Sequence, residues 1–140
     1  MDFDGLIDAT KAFSYQKTGR GSRVCIITNG GGSGVLAADE CMRQGLEVPA
    51  LSPEAREKLG RIFPHFYGIN NPVDLTAQVN DADYATALCE LKDDYDGFLI
   101  IALPNVMGIT ESLAEKLKTA KSSLNKPLVA YISEGGISGD

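Results

Sequence analysis

An α/β fold built as an open, doubly wound parallel sheet is predicted by three observations. Short apolar runs alternate along the chain with helical patterns, the runs are continuous, and helix-start signals stand between them. The segments RVCIITN (23–29), GFLIIAL (97–103) and KPLVAYIS (126–133) are rich in β-branched and aliphatic residues, the composition of strands covered on both faces. Strands alternating with helices join through right-handed crossovers into a parallel sheet. A flavodoxin-like arrangement is the specific expectation.

Taken in order, LIDATKAFSY places Leu6, Ala9 and Phe13 on one stripe and predicts a leading helix, joined to the first strand by the glycine-bearing linker KTGRGS; helix and linker occupy residues 1–21. The first strong strand runs into ITNGGGSGVLAAD (27–39), where a glycine loop leads a helix that opens at Val35 and buries Val35, Ala38 and Met42. Gly45 stands where that helix needs a left-handed stop. LEVPAL (46–51) is expected as a short edge strand, because Pro49 has no ladder donor. Ser52 followed by Pro53 starts a helix with Ala55, Leu59 and Ile62 on its inner face. NPVDL (71–75) is a further short strand. Asp81 starts a helix facing inward through Tyr84, Ala85, Leu88 and Leu91, and Thr110 with Glu111 starts one facing inward through Leu113, Leu117 and Ala120. After the last strand, EGGISGD has the composition of a loop feeding another helix. The 140 residues are therefore expected to be a single domain cut from a longer chain.

At 44% hydrophobic, the chain suits one core. A formal charge of −6 argues against nucleic acid and anionic membrane surfaces, both of which reward excess Lys and Arg. No apolar run approaches the roughly 20 residues of a membrane span, and MDFDGLIDAT lacks the features of a signal peptide. A soluble, cytoplasmic protein is expected. Cys25, Cys41 and Cys89 each sit in an apolar pattern and are expected in the core as small hydrophobes of a reducing compartment. No CxxC occurs and the single histidine, His65, is remote from all three, so neither a metal site nor a cysteine nucleophile is predicted. His65 follows a proline and belongs to an ordinary loop. Asp93 and Asp94 mark a solvated turn.

The candidate site is the glycine loop. In open α/β sheets ligands gather at the carboxyl ends of the strands, where Asn29, Gly30, Gly31, Gly32, Ser33 and Gly34 lie. Glycine lets a ligand approach the backbone closely, and the following helix turns its N–H groups and positive dipole end toward the loop. Phosphate is the anion this arrangement suits. Two known phosphate loops are excluded: GxGxxG from Gly30 would need glycine at Val35, and no GK[ST] follows. Thr28 and Asn29 either orient the loop or touch the anion. Ser33 is expected near the helix N-cap, capping amides rather than attacking a substrate, since no base partner is apparent. Asp39 is either solvated or an interdomain contact, and Asp74 is expected to bond backbone groups of its turn. PNVMG (104–108) and SEGG (133–136) fall at strand ends and extend the same rim. No catalytic residue is identified.

The segments RVCIITNGGGSGVLAADEC, GLEVPALSPEAREKL, NPVDL and YDGFLIIALP, in that order, resemble the NDP-forming (ADP-forming) acyl-CoA synthetases, relatives of succinyl-CoA synthetase. The resemblance spans about residues 5–134 and is to the third, flavodoxin-like domain of the alpha portion, a succinyl-CoA ligase-like domain. The family motif more often has alanine at Gly30 and proline at Ser33. The resemblance implies a reaction that interconverts acyl-CoA, ADP and phosphate with acid, CoA and ATP through a phosphohistidine held between two helix N-termini, of which Gly30–Gly34 resembles one. It also implies that CoA, ADP or ATP and Mg serve the complete enzyme, with no cofactor held by this domain. The CoA-binding, phosphohistidine and ATP-grasp domains would be its partners. An exposed sheet edge or apolar face would favour a homodimer. The alternative is a ligand-sensing module of a larger protein, such as an acetyltransferase fusion, and a flavin carrier has only fold analogy behind it.

Overall fold

The computed structural model describes residues 3–15, 21–103 and 106–133. Four parallel strands, β1 (Val24–Thr28), β2 (Val73–Asp74), β3 (Gly97–Ala102) and β4 (Leu128–Ile132), lie in the order β2-β1-β3-β4. The chain enters in the middle, steps to one edge and returns past β1 to the other, as the flavodoxin-like order requires. Helices α1 (Phe3–Tyr15) and α2 (Gly31–Arg43) cover one face, and α3 (Pro53–Ile62), α4 (Asp81–Leu91) and α5 (Ser112–Ser122) cover the other.

Side chains on a strand alternate between faces, so a strand covered on both must be apolar throughout. Val24, Ile26, Leu99 and Ile101 meet α1 and α2; Cys25, Ile27, Phe98 and Ile100 meet the other three helices. All of β1 and β3 is buried. β4 departs from expectation, with Ala130 and Ile132 exposed and the rest half-buried, because among the described residues it pairs only with β3.

Several start and stop signals are realised. Ser52 Oγ accepts from Ala55 N at 3.1 Å, with Pro53 at the first helical position. Gly45, at φ +81°, stops α2: its N–H reaches Met42 O and the next N–H reaches Cys41 O. The N-cap of α4 is Asn80, one residue before the expected Asp81, and Asn80 and Asp83 form a reciprocal capping box. For α5 the cap position is Glu111 without a side-chain bond, and Thr110 Oγ1 accepts from Ser112 N. Leu6 is buried, while the side chains of Ala9 and Phe13 and all of residues 16–20 lie outside the described residues.

Three expectations are corrected. LEVPAL forms only a bridge between Glu47 and Arg23, because Pro49 cannot donate and its carbonyl is taken by Asn71 Nδ2 at 2.9 Å and Tyr95 OH at 3.0 Å. In α2 the buried side is Ser33, Gly34, Ala37, Ala38, Glu40 and Cys41, while Val35 and Met42 face outward. The helix lies close to its neighbours through small residues, so its large apolar side chains have no room on the inner side. Ile62 at the end of α3 is exposed for the related reason that the helix ends there.

Cys89 is exposed on α4, whereas Cys25 and Cys41 are buried. Burial, and then the Glu40 charge, pushes the Cys41 thiol up to about 11, and burial raises Cys25 further. Only thiolates attack disulfide reagents. Titration of the native chain with such a reagent is therefore expected to modify Cys89 alone, the other two reacting only after denaturant is added.

Candidate functional site

The rim at the carboxyl ends of β1 and β3 is built by backbone and short polar side chains. Thr28 Oγ1 accepts from Gly30 N at 3.0 Å and sets the turn out of β1. Asn29 is buried, accepts from Leu103 N at 2.8 Å and donates to Leu103 O at 3.2 Å. Both ends of that amide are thus spent on joining β1 to β3. A Cβ on Gly30 would stand 2.4 Å from Leu103 Cδ1. Asn29 and Leu103 thus meet at the point where the strand order reverses, the usual place for a flat cofactor in such sheets.

The glycines belong to the helix and not to a loop before it. Gly30 is the N-cap and α2 opens at Gly31, four residues before the expected Val35; the first intrahelical bond is Gly34 N to Gly30 O at 3.0 Å. Ser33 is therefore inside the first turn and buried, not at the cap. No turn-breaking residue follows Gly30, and three consecutive glycines read equally as a longer loop. A Cβ on Gly31 would meet Asp74 Oδ2 at 2.8 Å, and one on Gly34 would meet Pro72 and Thr28 at 3.0 Å, so both permit close approach. Gly32 has nothing within 4 Å of that position.

Helix α2 begins with neither a side-chain cap bond nor an acidic residue in its first turn. The contrast is with α3 and α4, which have both. The N–H groups of Gly31 and Gly32, both exposed, precede the first intrahelical bond and aim out of the helix with its positive dipole end. Asp74 stands beside them: Oδ1 accepts from Thr76 N at 2.9 Å, the turn role expected, and Oδ2 is the oxygen that faces Gly31. Asp39 is exposed on the flank of α2, away from the helix start. His65 is exposed on the loop after α3, edge-on to Phe66 at 5.6 Å.

No Lys or Arg occurs between Arg23 and Arg43, between Arg61 and Lys92, or between Lys92 and Lys116, the stretches that supply this rim. The donors that these stretches supply are backbone amides, without cationic side chains. Among the described residues no group of three His, Cys, Asp or Glu side chains is arranged to hold a metal ion. None of their helices is long and apolar enough to cross a membrane.

A second polar cluster was not foreseen. Asp81, expected as a helix start, is 5% exposed and accepts from Thr110 N at 3.0 Å, Ser112 Oγ at 2.7 Å and Thr110 Oγ1. It straps the segment after β3 to the start of α4, where Asp81 N also donates to Gly108 O at 3.0 Å. Burial by itself would raise the Asp81 pKa; the Thr110 and Ser112 hydroxyls, the Thr110 amide and the Lys116 charge outweigh it and hold the carboxyl below its ordinary value. A depressed folded-state pKa contributes stability that is complete above the unfolded value of about 3.9 and is lost as pH falls through the folded one. Asp81→Asn is expected to flatten the loss of unfolding free energy below about pH 4, as measured by urea titrations at stepped pH. Of the proposed rim extensions, Pro104, Asn105 and residues 134–136 lie outside the described residues, and Met107 is fully exposed.

The Ligase-CoA domain model matches residues 24–135, from the first residue of β1 to beyond β4. The chain belongs to the Ligase-CoA domain family. It is 33% identical to the alpha subunit of acetate–CoA ligase [ADP-forming] II from Pyrococcus furiosus, over 96% of this chain and 31% of that protein. The crystal structure of PH0766 from Pyrococcus horikoshii OT3 is 32% identical, superposes with a TM-score of 0.79, and is matched over 99% of this chain and 33% of that one. A dinucleotide-forming acetyl-coenzyme A synthetase 1 from Ca. Korarchaeum cryptofilum, 24% identical over 92% of this chain and 29% of that one, shares the fold with a TM-score of 0.71. This Ligase-CoA domain thus spans about a third of the length of the relatives it matches.

Proposed function

We propose that this Ligase-CoA domain is one part of an ADP-forming acyl-CoA synthetase, in which the start of α2 receives the phosphoryl group of a phosphohistidine carried by another domain. The uncapped helix start carries this reading: Gly31 and Gly32 present amides and a positive dipole end with no acid in the helix's own first turn, the Asp74 carboxylate standing beside them. Asn29, Gly30, Ser33 and Gly34 shape that start, Thr28 sets its turn and Asp74 borders it. With no Lys or Arg on the rim segments, the site suits an anion delivered on a carrier better than a free ion captured from solution. CoA, ADP or ATP and Mg act elsewhere in the complete enzyme. The acyl group, the reactive histidine and the nucleotide site belong to the CoA-binding, phosphohistidine and ATP-grasp partners.

Preorganised donors stabilise charge most where water is excluded. An exposed helix start alone is a weak anion site, worth about 0.3–1 kcal/mol. Closure by a partner domain is what would make it effective. The isolated chain is accordingly expected to show no acyl-CoA-dependent synthesis of ATP from ADP and phosphate. The companion domains are expected to be active with this chain and inactive without it. Full activity of the companions alone would overturn the proposal. The ligase names of the similar proteins support this reading over a sensor module, which would leave the companions equally active with or without this chain.

A further inference from the structure

Among the described residues, the flank of α2 that turns away from the sheet is apolar and uncovered. Val35, Leu36 and Met42 are 58%, 47% and 55% exposed, and Ile7 of α1 adjoins them at 36%. Leu36 and Ile7 also line a groove of about 330 Å³ between the two helices. Asp39 is the exposed charge in the middle of this flank, and Arg43 at its far end is paired with Glu40 at 3.0 Å.

We propose that this flank seats a companion domain of the same ligase, one that presents apolar side chains to Val35, Leu36 and Met42 and a Lys or Arg to Asp39; the inference rests on the ligase reading above. Three observations choose that occupant. The matched relatives are about three times as long as this chain, so in them the equivalent domain has neighbours of its own assembly. Four partly exposed apolar side chains make a small patch beside the roughly 800 Å² per partner of a free-standing dimer interface. Contacts between domains held together need less, because tethering raises the effective concentration. Finally, the unmatched charge of the flank is negative, with no Lys or Arg between Arg23 and Arg43, so a cationic partner is the complementary one. The near end of this seat, Val35, stands about one turn from Gly31, beside the amides that await the phosphoryl group.

The test uses the 140-residue chain and, as probe, the companion domains of the proposed ligase expressed as a separate polypeptide. Calorimetric titration and hydrogen exchange are expected to show binding with protection along α2. Leu36→Glu and Met42→Glu, at exposed positions where the melting temperature should stay at the wild-type value, are each expected to weaken binding about tenfold or more. Asp39→Lys is expected to weaken it most at low salt. Undiminished binding by both apolar-site variants, or protection confined to another face, would overturn the proposal. So would a wild-type dimer in sedimentation that Met42→Glu dissociates, since a second copy would then be the occupant. The two readings fail separately. A complex that forms on this flank but turns over no phosphohistidine removes the ligase reading and leaves the seat; an active ligase indifferent to these substitutions does the reverse.

Discussion

Replacing Asn71 by alanine is expected to remove about 3–5 kcal/mol of folding stability, because it orphans polar groups of the central strand in the core. Asn71 is 9% exposed; its Oδ1 accepts from Ile26 N at 3.0 Å, and its Nδ2 donates to Val24 O at 2.8 Å and to Pro49 O at 2.9 Å. Strand β2 pairs with β1 only at Ile27 and Thr28. Below that point the side chain of Asn71 takes the place of a neighbouring strand, offering one acceptor and one donor as a peptide group would. In the alanine variant Pro49 O keeps Tyr95, but Ile26 N and Val24 O lose the partners they have here. Each buried orphan costs about 1–3 kcal/mol, against a total stability of about 5–15 kcal/mol for a domain. Urea unfolding should show a lower midpoint at unchanged slope. Asn71→Asp, which retains the acceptor but cannot donate, is expected to be at least as destabilised. A loss under about 1 kcal/mol for both would mean that the strand finds other partners.

Gly32→Asp is expected to separate stability from activity. The position is exposed with open space around it, so a side chain meets no obstacle. Asp is a better helix residue than Gly, and a carboxylate in the first turn complements the dipole; together these should stabilise the chain by about 1 kcal/mol and raise its melting temperature by about 3 °C. The same carboxylate competes for the amides of Gly31 and Gly32 and repels a phosphoryl group. In the reconstituted ligase, turnover is expected to fall by about 10²-fold or more, the loss typical when one transition-state donor is removed. Gly32→Ala is the control, since it gains helix propensity without charge. It should keep most of the activity. If the aspartate variant turns over like wild type, the start of α2 does not receive the phosphoryl group; if alanine is as damaging as aspartate, the requirement is for glycine itself and not for an open anion site.

Both predictions turn on features of different legibility. Strands β1 and β3 could be read directly because both faces are covered, which makes every residue apolar and leaves a continuous run. Ser52-Pro53 and Gly45 were equally plain, since capping and left-handed backbone are decided by the residue itself. The glycine run was correctly placed at a strand end, but its conformation was not readable: glycine permits both loop and helix, and only packing against Thr28, Pro72 and Asp74 selects the helix. The stripe on α2 failed because hydrophobicity was equated with burial, when close approach to the sheet demanded small residues inside and left Val35 and Met42 outside. The long-range bonds of Asn29, Asn71 and Asp81 were not legible for a different reason. Their partners, Leu103, Ile26 and Thr110, are 74, 45 and 29 residues away, beyond anything a local pattern records. By itself, then, the sequence determined the parallel α/β layout, the strand cores and the place of the glycine helix start, because periodicity and capping are local. Only the tertiary structure decided which faces are covered, which polar side chains stand in for backbone, and which flank of α2 is left open, because those depend on which distant segments come to lie together.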